Sequence, residues 1–224
     1  MIIDLHSHTS FSKDGQDSPE DLINHMIKQG VDEIGITDHN YWITDCKKEY
    51  FNAITELKEK YSSKIKIVRG IELASAPENC IDDDEDVSYF DYCLVEHHGF
   101  DFNVYKNDIV SYAKRLDTRT GIAHTDLFEF TARRGLDLKE YLTSLKNANI
   151  FWEMNVNYDS IHNYREHEYV KKFVNDKKLR DAVKESGVEI SVGFDGHRMN
   201  DYRVDMVKAM CDFLLNNGFP LVVF

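Results

Sequence analysis

Seven short apolar runs, rich in β-branched residues, recur along the 224-residue chain and alternate with segments of helical spacing. We predict strands over residues 2–5, 33–37, 65–71, 92–95, 121–123, 150–154 and 188–192. Most of these runs are continuous rather than alternating, which is typical of strands that helices cover on both faces. The sequence therefore predicts a parallel sheet of the α/β class, built either as a barrel or as an open doubly wound sheet.

The choice between these two architectures depends on the loops after the strands. No GxGxxG or GxxxxGKS/T motif follows a predicted strand, so the glycine-rich phosphate loops of open α/β sheets are missing and we favour the barrel.

The first helix is predicted to begin after the N-cap Ser18, with Pro19 at its first position. The last helix is predicted over residues 202–215.

Composition limits the kinds of partner that the chain can bind. Lys and Arg number 27 against 40 Asp and Glu, which gives a formal net charge of −13 with neutral histidine. Such a chain repels a phosphate backbone, so we expect no binding of long nucleic acid, and a phosphorylated ligand must meet a local positive centre. The hydrophobic fraction of 42% suffices for one core, and the few Pro and Gly leave no obvious linker. We therefore predict a single domain over residues 1–224.

Membrane and redox signals are weak in this sequence. No stretch approaches the ~20 apolar residues that span a bilayer, and no basic segment precedes the first apolar run. We therefore expect a cytoplasmic protein without a membrane partner. The 4 cysteines lack CxxC spacing, which indicates reduced thiols rather than a thiolate zinc site or a disulfide framework. The sequence leaves the oligomeric state open.

The histidines are concentrated where the predicted strands end. Of the 10 histidines, most lie within a few residues of the C-terminal end of a strand: His6, His8, His39, His97, His98, His124 and His197. Acidic residues occupy the same ends: Asp14, Asp38, Glu72 and Asp195. Because these ends open on one face of a parallel α/β barrel, where active sites lie, we expect the side chains to converge.

The spacing of these residues indicates a metal centre. His6 and His8 in an extended chain place both imidazoles on the same side, and Asp195-Gly196-His197 repeats this geometry with a carboxylate. The mixed nitrogen and oxygen set exceeds what one tetrahedral ion uses, so we predict two to three divalent ions with Glu72 and Asp195 as bridges. Imidazole and carboxylate ligands suit zinc, manganese and iron alike.

Ordered motifs extend over nearly the whole chain. They read Asp4-Leu5-His6-Ser7-His8-Thr9, Thr37-Asp38-His39-Asn40, Gly70-Ile71-Glu72, Phe90-Asp91-Tyr92 with His98 downstream, Ile122-Ala123-His124, Trp152-Glu153-Met154-Asn155 and Gly193-Phe194-Asp195-Gly196-His197. With these motifs in this order, the chain resembles the PHP superfamily, the polymerase and histidinol phosphatase domain. The resemblance implies a distorted seven-stranded (β/α) barrel, a trinuclear metal site at the strand C-termini, and hydrolysis of phosphoesters.

Matched position by position, the resemblance implies these metal ligands: His6, His8, Asp14, His39, Glu72, His98, His124, Asp195 and His197. Three positions depart from the commonest family pattern. The acid at Asp14 comes one residue later than in many members. His97 and His98 are adjacent, and the spacing from Asp91 favours His98 as the ligand with His97 beside it. Phe194 stands where a small residue usually precedes the acid, which would narrow the pocket.

The remaining steps of hydrolysis need a proton donor and a phosphate-binding cation. Divalent ions would activate a bridging water and clamp the phosphate oxygens. Asp38 and His97 are the candidates for proton delivery to the leaving alcohol, with a structural role as the alternative for each. Arg198 is the first candidate for a phosphate-binding guanidinium, ahead of Lys13 and Arg165.

Three functions are compatible with these residues. We favour a metal-dependent phosphatase acting on a small phosphomonoester of the histidinol phosphate type, because no polymerase or helical DNA-binding module accompanies the motifs. The alternatives are a phosphodiesterase or exonuclease acting on nucleotides or short oligonucleotides, and a metal-binding module without turnover. The acidic composition disfavours long duplex substrates, and the nearly complete ligand set disfavours loss of activity. An amidohydrolase-type barrel would need a lysine at the end of a middle strand, where the sequence has none.

Overall fold

The barrel is built from strands that pair strictly in chain order. The computed structural model describes residues 1–161 and 163–224. Seven parallel strands form one sheet, each hydrogen-bonded to the next. Their bounds are β1 Ile3–Asp4, β2 Glu33–Ile36, β3 Lys66–Leu73, β4 Tyr92–Val95, β5 Thr120–Ile122, β6 Ile150–Asn155 and β7 Ile190–Gly193. The prediction of an α/β fold with a parallel sheet is confirmed, and each predicted run overlaps one strand.

Backbone hydrogen bonds also join the last strand to the first. Leu5 N donates to Val192 O at 2.8 Å, and Asp195 N donates to His6 O at 2.7 Å. The sheet therefore curves into a nearly closed barrel rather than remaining open. This agrees with the choice of a barrel that we based on the absence of glycine-rich phosphate loops.

Helices cover the outside of the barrel. Their bounds are α1 Pro19–Gln29, α2 Lys47–Lys60, α3 Ile109–Leu116, α4 Leu127–Arg134, α5 Leu138–Asn147, α6 Glu168–Asn175, α7 Lys177–Ser186 and α8 Val204–Asn216. As predicted, α1 begins with Pro19, and Ser18 caps it by accepting a hydrogen bond from the Asp21 N–H at 3.2 Å. The last helix begins two residues later than predicted, because Tyr202 remains extended and stacks on Phe194 with ring centroids 4.4 Å apart. Within the described part of the chain, no helix combines the length and the apolar character needed to cross a membrane.

Aromatic side chains fill the N-terminal end of the barrel. The ring of Phe224 lies 4.8 Å from that of Tyr92 and 6.4 Å from that of Phe151. The backbone N–H of Phe224 donates to Glu33 Oε1 at 3.0 Å, which holds the tail against the start of β2. Because this end is filled, a ligand has access from the opposite end, where the strands reach their C-termini.

Asp91 ties the start of β4 to β3 and α2. Its Oδ2 accepts from the Arg69 N–H at 2.9 Å, from Arg69 Nε at 3.1 Å and from Lys58 Nζ at 2.9 Å. Its Oδ1 accepts from Arg69 Nη2 at 2.6 Å. Partial burial opposes ionisation, but these donors outweigh it and lower the pKa of Asp91 to about 2. The ionised carboxylate therefore stabilises this edge of the barrel.

We expect Asp91→Asn to lower the free energy of unfolding by about 1–2 kcal/mol near neutral pH, because charge-assisted hydrogen bonds are lost from a partly exposed group. The folded pKa lies below the unfolded value of about 3.9, so the stabilisation is present above that pH and is lost as the pH falls toward 2. Urea unfolding of both proteins at several pH values should show the stability difference shrink below about pH 4. A difference that stays constant over this range would contradict the assignment.

Candidate metal centre

The polar residues at the strand ends meet at the open, C-terminal end of the barrel. The structure brings together eight of the predicted metal ligands: His6, His8, Asp14, His39, Glu72, His124, Asp195 and His197. They lie at or just beyond the ends of β1, β2, β3, β5 and β7, and Asp14 lies on the loop between β1 and α1. Of this set, only Asp14 and His124 are more than slightly exposed.

Glu72 lies at the middle of the cluster. Its Oε1 is 3.2 Å from His6 Nε2 and 3.1 Å from His124 Nε2. Its Oε2 is 3.4 Å from His8 Nε2 and 3.0 Å from His39 Nδ1. The side chain is 1% exposed. One buried carboxylate thus faces four imidazoles, which is the arrangement expected of a ligand that bridges ions.

Asp195 is the second carboxylate shared between imidazoles. Its Oδ1 lies 3.1 Å from His8 Nε2, 3.4 Å from His6 Nε2 and 4.0 Å from His197 Nε2. Glu72 and Asp195, the two predicted bridges, thus each lie between several imidazoles.

Asp14 lies at the far side of the cluster from the His6 imidazole. Its Oδ2 is 3.2 Å from His39 Nε2 and 3.5 Å from His197 Nε2. Among the residues that the structure describes, three groups of donor atoms are compact enough to hold an ion: His8, Asp14, His39 and His197; His6, His8 and Asp195; and His39, Glu72 and Glu96. These groups overlap at His8 and His39, so the three sets of donor atoms are contiguous.

The spacing of the donor atoms fits bound cations. His6 Nε2 and His8 Nε2 lie 3.1 Å apart, which is about the edge of a coordination shell with bonds of ~2.0–2.1 Å. Two imidazole lone pairs at this distance repel each other unless a proton or a cation lies between them. His8 Nδ1 and Asp14 Oδ1 are buried without a hydrogen-bond partner, which is uncommon in proteins. The donor set therefore fits divalent metal ions.

The electrostatics of the cluster also favour a cation. Burial disfavours charge on His39, but Glu72 and other carboxylates outweigh it and raise the pKa of His39 to about 9. The same balance of burial and Glu72 raises the pKa of His124 to about 9. For His8, burial and the neighbouring His197 lower the pKa to about 3. The carboxylates thus hold protons on some imidazoles, and a divalent ion would replace those protons.

His98 does not join the cluster, which corrects its predicted place as the ligand after β4. Its Nδ1 lies 3.1 Å from the Tyr105 hydroxyl, and its Nε2 lies 2.7 Å from the Tyr141 hydroxyl on α5. Burial and, to a smaller degree, Arg134 lower the pKa of His98 to about 3. Both ring nitrogens therefore face tyrosine hydroxyls rather than the carboxylates of the cluster.

His97 and Glu96 lie on the cluster side instead. The backbone of His97 has φ 62°, so the chain turns here and the alternation of side chains along a strand no longer applies. His97 Nε2 is 3.5 Å from Glu96 Oε2, and Glu96 Oε1 is 4.0 Å from His39 Nδ1. Sequence reasoning missed Glu96, although an acid directly after a strand is the same signal that identified Glu72.

Asp38 holds the loop that follows β1. Its Oδ1 accepts from the backbone N–H groups of Thr9 at 2.8 Å and Ser12 at 3.0 Å, and its Oδ2 accepts from Thr9 Oγ1 at 2.7 Å. Burial raises the pKa of Asp38 to about 6 despite these donors. Of the two roles left open for Asp38, the structural one matches this position, because its carboxylate anchors the segment leading to Asp14.

Arg198 lies beside the same loop, directly after the ligand position His197. Its Nη2 and Nε donate to the side-chain oxygen of Gln16 at 3.2 and 3.1 Å, with the amide oriented to present that oxygen. The Gln16 backbone N–H donates to His197 O at 3.0 Å. The guanidinium is thus fastened near the rim of the metal centre.

Phe194 does not narrow the pocket, contrary to the expectation from its bulk. The side chain is fully buried and stacks on Tyr202. Its backbone N–H donates to Asp4 Oδ1 at 3.0 Å, and the Tyr202 hydroxyl hydrogen-bonds Asp4 and Ser7. Phe194 therefore packs behind the seam between β1 and β7.

Glu153 on β6 is the main site residue for which the sequence analysis predicted no role. It is fully buried, with Oε1 2.7 Å from His6 Nδ1, and its Oε2 accepts from the His124 backbone N–H at 2.6 Å. Gly193 on the next strand leaves room for this carboxylate, since a Cβ there would come 2.0 Å from Glu153 Oε1. A carboxylate behind a histidine commonly fixes the tautomer that binds metal. The motif around Glu153 was its only sequence signal.

Comparisons with solved structures agree with this architecture. Histidinol phosphate phosphatase (HisK) from Lactococcus lactis subsp. lactis, complexed with zinc, L-histidinol and phosphate, has a TM-score of 0.63 at 18% identity. The similarity covers 99% of this chain and 95% of that chain. A HisK structure from Listeria monocytogenes has a TM-score of 0.54 at 16% identity, covering 89% of this chain and 96% of the other. At these identities the likeness concerns the fold.

Two curated sequences match over parts of their length. DNA polymerase/3′-5′ exonuclease PolX from Bacillus subtilis is 26% identical over 170 residues, or 69% of this chain. Histidinol-phosphatase from Lactococcus lactis is 31% identical over 77 residues, or 32% of this chain. Each match spans 29% of the length of the relative. The family model described as the PHP domain matches residues 4–199, most of the chain, and the chain therefore belongs to the PHP domain family.

Proposed function

We propose that the protein is a metal-dependent phosphoesterase that hydrolyses a small phosphomonoester at a centre of two to three divalent ions. The observation that carries this proposal is the set of three donor groups at the open end of the barrel, joined through His8 and His39. The HisK structure that resembles this fold contains zinc, L-histidinol and phosphate, which supports zinc and a substrate of the histidinol phosphate type.

The ions, when bound, supply a water activated as hydroxide and positive charge for the phosphate oxygens. The residues of the chain position that charge. Glu72 and Asp195 each lie within 3.4 Å of both the His6 and the His8 imidazole. Because the centre is buried at its base and open above, water is excluded from one side while the substrate approaches from the other.

His97 and Arg198 complete the proposed site. We assign to His97 the ligand position expected for His98, since His97 lies beside Glu96 while both ring nitrogens of His98 face tyrosine hydroxyls. Arg198 is the proposed phosphate-binding residue, because its guanidinium is held at the rim by Gln16 and presents a planar fork of donors. Asp38 is assigned to anchoring the loop of Asp14, as its hydrogen bonds indicate.

Hydrolysis of nucleotides or short oligonucleotides is the second candidate. The partial match to the PolX exonuclease favours it. The formal charge of −13 weighs against long polyanions, because charge beyond the metal centre would repel them.

A substrate screen tests the proposal. Metal-stripped protein would be reloaded with zinc, manganese or iron and assayed with L-histidinol phosphate, sugar phosphates, a nucleoside monophosphate and a phosphodiester. We expect hydrolysis of at least one monoester that depends on added metal and is lost with chelator. Hydrolysis confined to the diester would favour the second candidate. A protein that binds fewer than about one ion per chain would contradict the proposed centre.

A further inference from the structure

Two exposed phenylalanines lie side by side on the loop after β4. Phe100 is 54% exposed and Phe102 is 48% exposed, and their ring centroids are 5.1 Å apart. The His97 ring lies 6.0 Å from Phe100 and 5.6 Å from Phe102. Single exposed apolar residues are common, but these three rings form a continuous surface, here called the aromatic wall (His97, Phe100 and Phe102).

Side-chain amides hold this loop in a fixed conformation. Asn103 Nδ2 donates to Phe100 O at 2.7 Å and to Asn107 Oδ1 at 2.6 Å. Asn107 Oδ1 also accepts from the Gly99 N–H at 2.8 Å, and Arg133 Nη2 donates to Gly99 O at 3.1 Å. The backbone that carries the exposed rings is therefore held in place, which lowers the entropic cost of binding a ligand to them.

The aromatic wall borders the metal centre. A cleft of about 570 Å³ is lined by His97, Phe100 and His124, together with residues of α4. His124 Nε2 lies 3.1 Å from Glu72 Oε1 at the middle of the metal cluster. A phosphoester bound at that cluster would thus have its alcohol portion within the same cleft as the wall.

The charged groups around the cleft already have partners of opposite charge. Asp126 Oδ2 accepts from Lys172 Nζ at 3.0 Å. Glu129 lies 3.7 Å from Arg133, and the carboxylate of Asp101 lies 3.3 Å from Arg134. The cleft therefore offers a ligand the faces of the aromatic rings together with exposed charged groups that already have partners.

We propose that the aromatic wall binds a planar aromatic ring carried by the alcohol portion of the phosphoester substrate. This inference rests on the proposed function, because it places the phosphate at the metal cluster. Stacking of a planar ring on aromatic side chains commonly changes affinity by roughly ten-fold or more per ring. The ring would belong to the substrate itself, such as an imidazole or a nucleobase.

Two matched esters test the aromatic wall: 2-phenylethyl phosphate and 2-cyclohexylethyl phosphate. Their alcohols have the same carbon skeleton and similar acidity and differ in the planarity of the ring. We expect the metal-loaded protein to favour the phenyl ester by roughly ten-fold in kcat/KM. Phe100→Leu combined with Phe102→Leu keeps apolar bulk but removes the flat faces, and this double variant should reduce the preference to about two-fold or less. Leu136→Ala removes a similarly exposed apolar side chain outside the wall, and it should leave the preference unchanged.

The outcomes separate this inference from the proposed function. Equal hydrolysis of both esters by the native protein would contradict the binding of a planar ring by the aromatic wall. A preference that survives in the double variant would contradict it as well. Neither result would affect the phosphatase proposal. If neither ester is hydrolysed, calorimetric binding of the two corresponding phosphonates tests the aromatic wall by the same ratio, and the substrate screen tests the phosphatase proposal separately.

Natural rings distinguish the source of the substrate. The same variants would be assayed with L-histidinol phosphate and with a nucleoside monophosphate. A fall of about ten-fold in kcat/KM for either compound, with the Leu136→Ala control unaffected, would support the wall and identify an imidazole or a nucleobase as its ligand. Hydrolysis of both compounds without such a fall would count against it.

Discussion

Glu72→Gln is expected to reduce phosphoester hydrolysis by about 1000-fold or more, because several kcal/mol of charge stabilisation depend on the metal centre. Glutamine keeps the volume of the side chain but removes the negative charge that faces four imidazoles. Its amide also replaces one oxygen that lies 3.0–3.4 Å from ring nitrogens. We expect at least one ion to be lost per chain, measured by elemental analysis after dialysis, together with initial rates on 4-nitrophenyl phosphate.

A matched control is available on the outer surface of the barrel. Glu189→Gln removes one carboxylate from an ion pair with Arg119, where the Glu189 side chain is 41% exposed. This variant should retain metal content and hydrolysis. Circular dichroism should show that Glu72→Gln remains folded. If folded Glu72→Gln kept its full metal content and rate, the assignment of Glu72 as the central ligand would be wrong.

Glu153→Gln is expected to weaken metal binding by about 10- to 100-fold, although Glu153 itself touches no ion in the proposed arrangement. The carboxylate meets the His6 ring through one oxygen and the His124 backbone N–H through the other. A glutamine amide presents one oxygen and one NH₂, so it can match only one of these two donors. Either the His6 ring or the His124 backbone N–H then loses its hydrogen-bond partner.

The measurement for this variant is zinc affinity by chelator competition, followed by the metal dependence of hydrolysis. We expect the rate at saturating zinc to recover in part, since the proposed ligands are all still present. Glu33→Gln is the control, because Glu33 is also a buried carboxylate, 3% exposed, but lies at the filled end of the barrel beside Phe224. An equal loss of zinc affinity in both variants would indicate a general effect of buried charge rather than positioning of His6.

The sequence predicted the fold because its two main signals depend on local chemistry. Continuous apolar runs with helices between them permit few arrangements other than a parallel sheet, and residues at the ends of parallel strands must share one face. The pair His6 and His8 follows the alternation of an extended chain, and both rings face Asp195 Oδ1 as that alternation requires.

The misplaced histidine follows a point where the backbone leaves the extended conformation. His97 has a positive φ of 62°, as do His124 at 21° and Asp195 at 58°, although these last two reach the cluster as predicted. Few side chains adopt this region without a steric cost, so the sequence gives little indication of it. At His97 the turn exchanges the expected directions of two adjacent histidines and sends His98 toward Tyr141. Phe194 was misjudged for a related reason, since its bulk was clear but the direction of its side chain was not.

The seam that closes the barrel has a consequence for how the chain stays folded. His8 and Asp195 lie on opposite sides of it, with almost the whole chain between them, and are 3.1 Å apart at Nε2 and Oδ1. An ion held by both would act as a removable cross-link that closes a very long loop, and would restrict the unfolded chain much as a disulfide does. The same metal that serves the chemistry would then keep β1 and β7 joined, and hydrogen exchange along this seam should accelerate when the metal is withdrawn.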